Sequence, residues 1–191
     1  IGRCAFCNCE SLTSITIPDS ITSIDLEAFD TCSSLTSIVV APGNTVYDSR
    51  ENCNAIIETA TNTLIYACQN TTIPDSITSI GEDAFARCSS LTEMVIPGNV
   101  KRIGQGAFKQ CTSLKKVTVK NGVISIGRDA FQGCKNMTVI ALPATVMTIE
   151  SDAFKGCENL KAILVPSGKK AHFLARLDSN LHPLVREIQP K

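Results

Sequence analysis

Ile80-Gly81-Glu82-Asp83-Ala84-Phe85 returns as Ile103-Gly104-Gln105-Gly106-Ala107-Phe108 and again as Ile126-Gly127-Arg128-Asp129-Ala130-Phe131, each followed three residues later by a cysteine: Cys88, Cys111 and Cys134. The spacing is 23 residues each time. A constant period with free variation between the constant positions marks a stacked repeat, in which each unit buries its apolar side chains only against its neighbours. Working outward, the same frame gives repeats that begin at Ile1, Ile24, Ile80, Ile103, Ile126 and Ile149. The 191 residues therefore read as one continuous array.

Within a repeat, Leu12-Thr13-Ser14-Ile15-Thr16-Ile17 alternates, is rich in β-branched residues and stops at a proline, so it predicts a short strand. Proline recurs at that place as Pro18, Pro74, Pro97, Pro143 and Pro166, where it cannot donate to a ladder. The stretch from Glu82 to Arg87 predicts one helical or 3₁₀ turn with Phe85 pointing inward. Ile21 and Ile24, or Val100 and Ile103, supply a third inward edge.

Ile24 to Ile80 is the exception, at 56 residues. The added segment, about 44–67, holds two strand-like runs, Ala55-Ile56-Ile57-Glu58 and Thr63-Leu64-Ile65-Tyr66, around an asparagine-containing turn, and predicts a β-hairpin. After the last repeat, residues 167–191 read as a cap. Ser167 is placed to start a helix running to about Asp178, with Phe173, Leu177 and Leu181 facing the core, and Leu184 to Ile188 as a final edge strand. The first repeat has no such cover, so the natural chain is expected to continue upstream of Ile1.

Six of the ten cysteines (Cys9, Cys32, Cys88, Cys111, Cys134 and Cys157) hold one repeat position. Stacked coils place equivalent side chains ~5 Å apart and parallel, whereas a disulfide needs converging Cβ atoms roughly 3.5 to 4.5 Å apart. The expectation is a ladder of buried free thiols. Cys68 falls where Leu12 stands and is expected to face inward; a bond between Cys53 and Cys68 is open. For Cys4 and Cys7, on the outer rim, the choices are metal, a disulfide or solvent-facing thiols, and metal lacks a fourth ligand nearby.

The signature Ile80-Gly81-Glu82-Asp83-Ala84-Phe85-Ala86-Arg87-Cys88-Ser89-Ser90-Leu91-Thr92 resembles the BspA-like class of leucine-rich repeats over roughly residues 1–166. The fold so implied is a repeat solenoid: a right-handed coil with a parallel β-sheet on one face, short helical or 3₁₀ turns opposite, a β-hairpin insertion and a C-terminal helical cap. The resemblance also implies a bacterial cell-surface or secreted protein with a role in adhesion, and it carries no catalytic motif. The partner expected on this ground is a protein or glycoprotein, such as a component of the host extracellular matrix or of another cell's surface. A structural spacer within a larger surface protein, binding nothing itself, is the competing reading.

Strand alternation turns Ser14 and Thr16, Ser37 and Val39, Glu93 and Val95, Lys116 and Thr118, Val139 and Ala141, and Ala162 and Leu164 outward. The last ten of these, from Ser37 to Leu164, are the candidate binding residues. Val39, Val95, Ala141 and Leu164 could form a weakly apolar stripe of the kind found at interaction surfaces, or could sit there for strand propensity alone. Eighteen basic and eighteen acidic residues cancel, which argues against nucleic acid as a partner. No apolar run approaches the ~20 residues that span a bilayer. No cofactor, metal or catalytic residue is assigned. Asp48, Arg50 and Glu51 are explained by loop solvation as well as by an ion site. His172 and His182 read as surface residues without a nucleophile partner. Asn70-Thr71-Thr72 and Asn136-Met137-Thr138 fit the glycosylation pattern but fall in expected strand regions. A monomer is expected.

Overall fold

The computed structural model describes residues 1–188; residues 189–191, the end of the expected 167–191 cap, lie outside the described residues. In chain order the strands are β1 (Ser14–Ile17), β2 (Ser37–Val40), β3 (Tyr47–Asp48), β4 (Ala55–Glu58), β5 (Thr63–Ala67), β6 (Ser79–Ile80) and β7 (Glu93–Ile96). They continue as β8 (Arg102–Ile103), β9 (Lys116–Val119), β10 (Ser125–Ile126), β11 (Val139–Ala141), β12 (Thr148–Ile149), β13 (Ala162–Pro166) and β14 (Val185–Ile188), with the α-helix α1 (Lys170–Leu174) between β13 and β14. The chain is a solenoid. Its principal face carries a five-stranded parallel sheet in the order β7-β9-β11-β13-β14 and a separate two-stranded sheet, β1-β2.

The third inward edge is itself a sheet. Two-residue strands β6, β8, β10 and β12 pair in parallel, and the insertion joins them, giving the order β12-β10-β8-β6-β5-β4-β3. β4 and β5 form the expected antiparallel hairpin, and β5 passes into the array by pairing in parallel with β6. The insertion is therefore a coil of the solenoid rather than an appendage: Ile56, Ile57 and Leu64 are fully buried. It also interrupts the principal face. Asn70 to Ile73, the counterpart of β1, forms no strand, and the Thr72 N–H donates instead to Cys53 O at 3.0 Å.

Turn backbones stack as well, which explains why Glu82 to Arg87 is not a regular helix. Alternate amides point along the solenoid axis: Asp83 N–H donates to Gln105 O, Phe85 to Ala107 and Arg87 to Lys109, at 2.9, 2.7 and 2.7 Å. Bonds of the 3₁₀ type, such as Ala86 N–H to Asp83 O at 2.8 Å, close the turn. Left-handed residues at Asp83 (φ 50°) and Arg87 (φ 61°) bend the chain between them. Successive coils come so close beside β8 that a Cβ on Gly104 would lie 2.6 Å from the backbone of Gly81.

The phenylalanines form the inner column. Phe85, Phe108, Phe131 and Phe154 stack with near-parallel rings at centroid separations of 4.8, 5.2 and 5.6 Å, and Phe6 stacks on Phe29 at 5.2 Å. Tyr66 of the insertion packs on Phe29 at 5.0 Å, and its hydroxyl donates to Phe29 O at 2.6 Å. An aromatic ring thus continues the column into the insertion.

The repeat cysteines are free thiols. Four of the six donate backwards to the carbonyl of the phenylalanine one coil earlier: Cys32 to Phe6, Cys111 to Phe85, Cys134 to Phe108 and Cys157 to Phe131, at 3.1 to 3.2 Å. A small residue with a donor suits that position, because it fills the corner and satisfies a buried carbonyl at once. Cys68 is buried, and both it and Cys53 are free, so the bond between them does not form. Burial pushes the Cys53 thiol up to about 11 and the Cys88 thiol up to about 12; the adjacent Cys111 thiol, followed by burial, raises Cys134. Native protein exposed to N-ethylmaleimide at pH 8 should leave Cys53, Cys88, Cys111 and Cys134 unmodified, while urea-unfolded protein labels at all four. Peptide mass mapping reads the result, and native labelling at Cys111 would contradict its placement.

The cap departs from the sequence reading. Gly168 adopts φ 74°, which carries the chain around after β13 and delays the helix, so that Lys169 rather than Ser167 precedes α1. The helix ends at Leu174 instead of about Asp178, because Asp178 is extended and a 3₁₀ turn over Ser179–Leu184 follows. Phe173, Leu177 and Leu181 are nevertheless buried over the last repeat, and β14 pairs in parallel with β13. In the first repeat Phe6, Leu12 and Ile15 are only half-buried.

Candidate interaction surface

The outward positions of the principal face fall into two rows held in strict register. One runs Val95, Thr118, Ala141, Leu164, Arg186; the other runs Glu93, Lys116, Val139, Ala162. Their inward neighbours Met94, Ile96, Val117, Val119, Ile140, Ile163 and Val165 are buried, which fixes the orientation of each strand. Val95 is the most exposed large apolar side chain of the face, at 55%. Ser37 and Val39 belong to the other sheet, where Val39 pairs with Thr16, so Val39 and Val95 stand on opposite sides of the interruption. The row is therefore not an unbroken apolar stripe: Thr118 divides it, and it ends on a cation. Arg186, paired with Leu164, is the residue that sequence reading left out, although alternation through the expected last strand points it outward.

The remaining candidates have structural work. Arg50 grips Asp48 through Nε at 2.8 Å and reaches Asn62 Oδ1 with Nη1 at 2.8 Å, so that Asp48 and Arg50 pin the start of the insertion to its hairpin turn. That pairing holds the Asp48 carboxyl below its usual range against the opposing effect of burial. Neither histidine is a free surface group: His172 Nε2 lies 2.7 Å from Val146 O and His182 Nε2 3.0 Å from Leu177 O, both half-buried. Neither Asn70 nor Asn136 is in a strand: Asn136 lies in the turn ahead of β11, Asn70 is a turn residue at the first position of the interrupted strand, and both are exposed.

Where the insertion replaces a normal coil, the turn side opens into a cleft of about 180 Å³ lined by Glu27, Asp30, Tyr66, Asp83, Arg87 and Lys109. Arg87 and Asp30 form an ion pair across it. Burial, then the charge of Glu82, raises the Asp83 carboxyl. At the N-terminal rim Cys4 and Cys7 form a disulfide, which decides among the three readings of that pair.

Coils of this length, with parallel strands on one side and hydrogen-bonded turns on the other, define a leucine-rich-repeat solenoid. The family described as the BspA type leucine rich repeat region matches residues 1–67 and 61–172 in six copies. The chain belongs to the BspA-type leucine-rich-repeat family. No curated protein matches it. Among solved structures it is similar to a leucine rich cell surface protein of Faecalibacterium prausnitzii, with 29% identity, TM-score 0.60, and coverage of 86% of this chain and 50% of that one. A leucine-rich repeat protein of Eubacterium ventriosum shares the fold at 22% identity and TM-score 0.60, over 80% of this chain and 48% of that chain. The leucine-rich repeat protein of T. pallidum gives 30% identity and TM-score 0.54, over 84% and 70%. The chain thus spans about half the length of the first two.

Proposed function

We propose that the chain is a noncatalytic binding module of a bacterial surface or secreted protein, which holds a protein or glycoprotein partner, such as a component of the host extracellular matrix, on its five-stranded face. The observation that carries this reading is the row Val95, Thr118, Ala141, Leu164, Arg186, presented in register by five parallel strands. A rigid face with an apolar centre and a cationic end offers contact area at little ordering cost. Description of the Faecalibacterium prausnitzii relative as a cell surface protein supports the location. The exposed disulfide supports it too, since such bonds persist outside reducing compartments.

The test is a binding assay of the whole chain on immobilised extracellular-matrix glycoproteins. Val95→Asp and Leu164→Asp should each weaken binding about tenfold or more, equivalent to about 1.4 kcal/mol. Thr61→Asp, at the exposed hairpin turn, should leave it unchanged. Deleting the hairpin is no substitute, because Ile56, Ile57 and Leu64 belong to the core. Binding that survives both sheet variants and fails with Thr61→Asp would move the site to the hairpin; no binding by the unaltered chain would favour the spacer.

A further inference from the structure

Cys4 and Cys7 occupy the positions that hold Asp129 and Gln132, or Asp152 and Lys155, in later repeats. In those repeats the two side chains also meet: Gln132 Nε2 donates to Asp129 Oδ1 at 3.2 Å, and Lys155 Nζ lies 3.4 Å from Asp152 Oδ1. The backbone beneath is the same. Cys4, Asp129 and Asp152 have φ of 55°, 55° and 58°, and the amide three residues on donates to each carbonyl at 3.1, 2.9 and 3.0 Å. The disulfide therefore closes a turn that this fold forms elsewhere without any covalent bond, and opening it removes nothing the turn requires. Exposure at this rim varies with the repeat: Asp83 and Lys155, at the first and second positions of the pair, face solvent, whereas Asp129, Gln132 and Asp152 are half-buried.

The two sulfurs are not equivalent. Cys4 is exposed, while Cys7 is half-buried with its Sγ 3.2 Å from Glu27 O. A thiol released at Cys7 has a carbonyl acceptor already in place, the same sulfur-to-carbonyl contact that the ladder cysteines make one turn away. The other cysteines are free thiols, most of them buried, so this pair is the one disulfide in the described residues.

We propose that Cys4–Cys7 is a thiol–disulfide exchange site for a small external thiol, with a fixed direction of attack. The thiolate attacks Cys4 Sγ; the Cys4–Cys7 bond breaks, a mixed disulfide forms at Cys4, and the electron pair leaves on Cys7, which takes a proton from water and donates it to Glu27 O. A second thiolate attacks the sulfur of the small thiol in that mixed disulfide, giving the symmetrical small-molecule disulfide and the Cys4 thiol. Two electrons pass from two small thiols to the pair.

Native chain is first blocked with N-ethylmaleimide, then treated with reduced glutathione at pH 8, quenched with iodoacetamide and mapped by mass spectrometry. The expected result is glutathione on Cys4, alkylation on Cys7, and an unchanged circular dichroism spectrum and melting temperature. The Cys4→Ser/Cys7→Ser double variant should fold with the same melting temperature as the oxidised chain. Maleimide on both cysteines in the first step, glutathione on Cys7 instead of Cys4, or loss of fold on reduction or in the double variant would each overturn the proposal.

Discussion

Phe108→Ala should lower the free energy of unfolding by about 3 to 5 kcal/mol, the usual cost of truncating a buried aromatic. The ring is fully buried between Phe85 at 4.8 Å and Phe131 at 5.2 Å, so its removal empties a site that neither neighbour can fill without abandoning its own partner. Two stacking contacts disappear together, each worth about 0.5 to 1.5 kcal/mol beyond area burial. Because coils touch only their neighbours, the lesion falls on the middle of the longest regular run and should uncouple the two halves. Urea unfolding followed by far-UV circular dichroism measures the effect. A loss under about 1 kcal/mol would mean that the column does not hold the coils together.

Tyr66 gives the second large effect. Tyr66→Ala should cost about 3 kcal/mol, because its ring packs against Phe29 and links the first two repeats to the insertion. Tyr66→Phe keeps that packing and loses only the hydroxyl's bond to Phe29 O, so about 1 kcal/mol is expected. Burial holds the phenol well above its ordinary range, so it remains a donor throughout the neutral and mildly alkaline region. The comparison of the two variants in urea is decisive: equal losses would assign the effect to the hydrogen bond and deny the ring its place in the column.

The coil was legible because its constraints are local and repeated. Phe85, Phe108 and Phe131 recur at one interval, and Met94, Val117 and Ile140 alternate with exposed or half-buried neighbours, so both column and sheet could be placed from spacing. What escaped depends on contacts between coils. The composition of Glu82 to Arg87 suits one helical or 3₁₀ turn, and bonds of the 3₁₀ type do close it, but its alternate amides are recruited by the next coil, a preference no single repeat displays. The ladder of two-residue strands is too short to leave an alternating pattern. Tyr66 was hidden because the insertion has its own register, and its role appears only when its ring is seen on Phe29. In the cap, apolar spacing identified Phe173, Leu177 and Leu181, but the helix boundaries were set by the backbone at Gly168 and Asp178.

The same distinction applies to the candidate surface. Alternation sufficed to turn Glu93, Val95, Lys116 and their counterparts outward, because a buried neighbour fixes each strand. It could not show that the face divides at Asn70 to Ile73, which separates Ser37 and Val39 from the rest. That division follows from the insertion drawing the Thr72 amide toward Cys53.

Amide hydrogen exchange at Phe85, Phe108 and Phe131, resolved by NMR, tests the stacked-coil account most directly. Each of these amides donates to an alanine carbonyl of the following coil, at 2.7, 2.7 and 2.8 Å. The account predicts that all three exchange slowly and together, through opening of the array as a unit. Exchange at the rate of an exposed turn, or three unrelated rates, would contradict it.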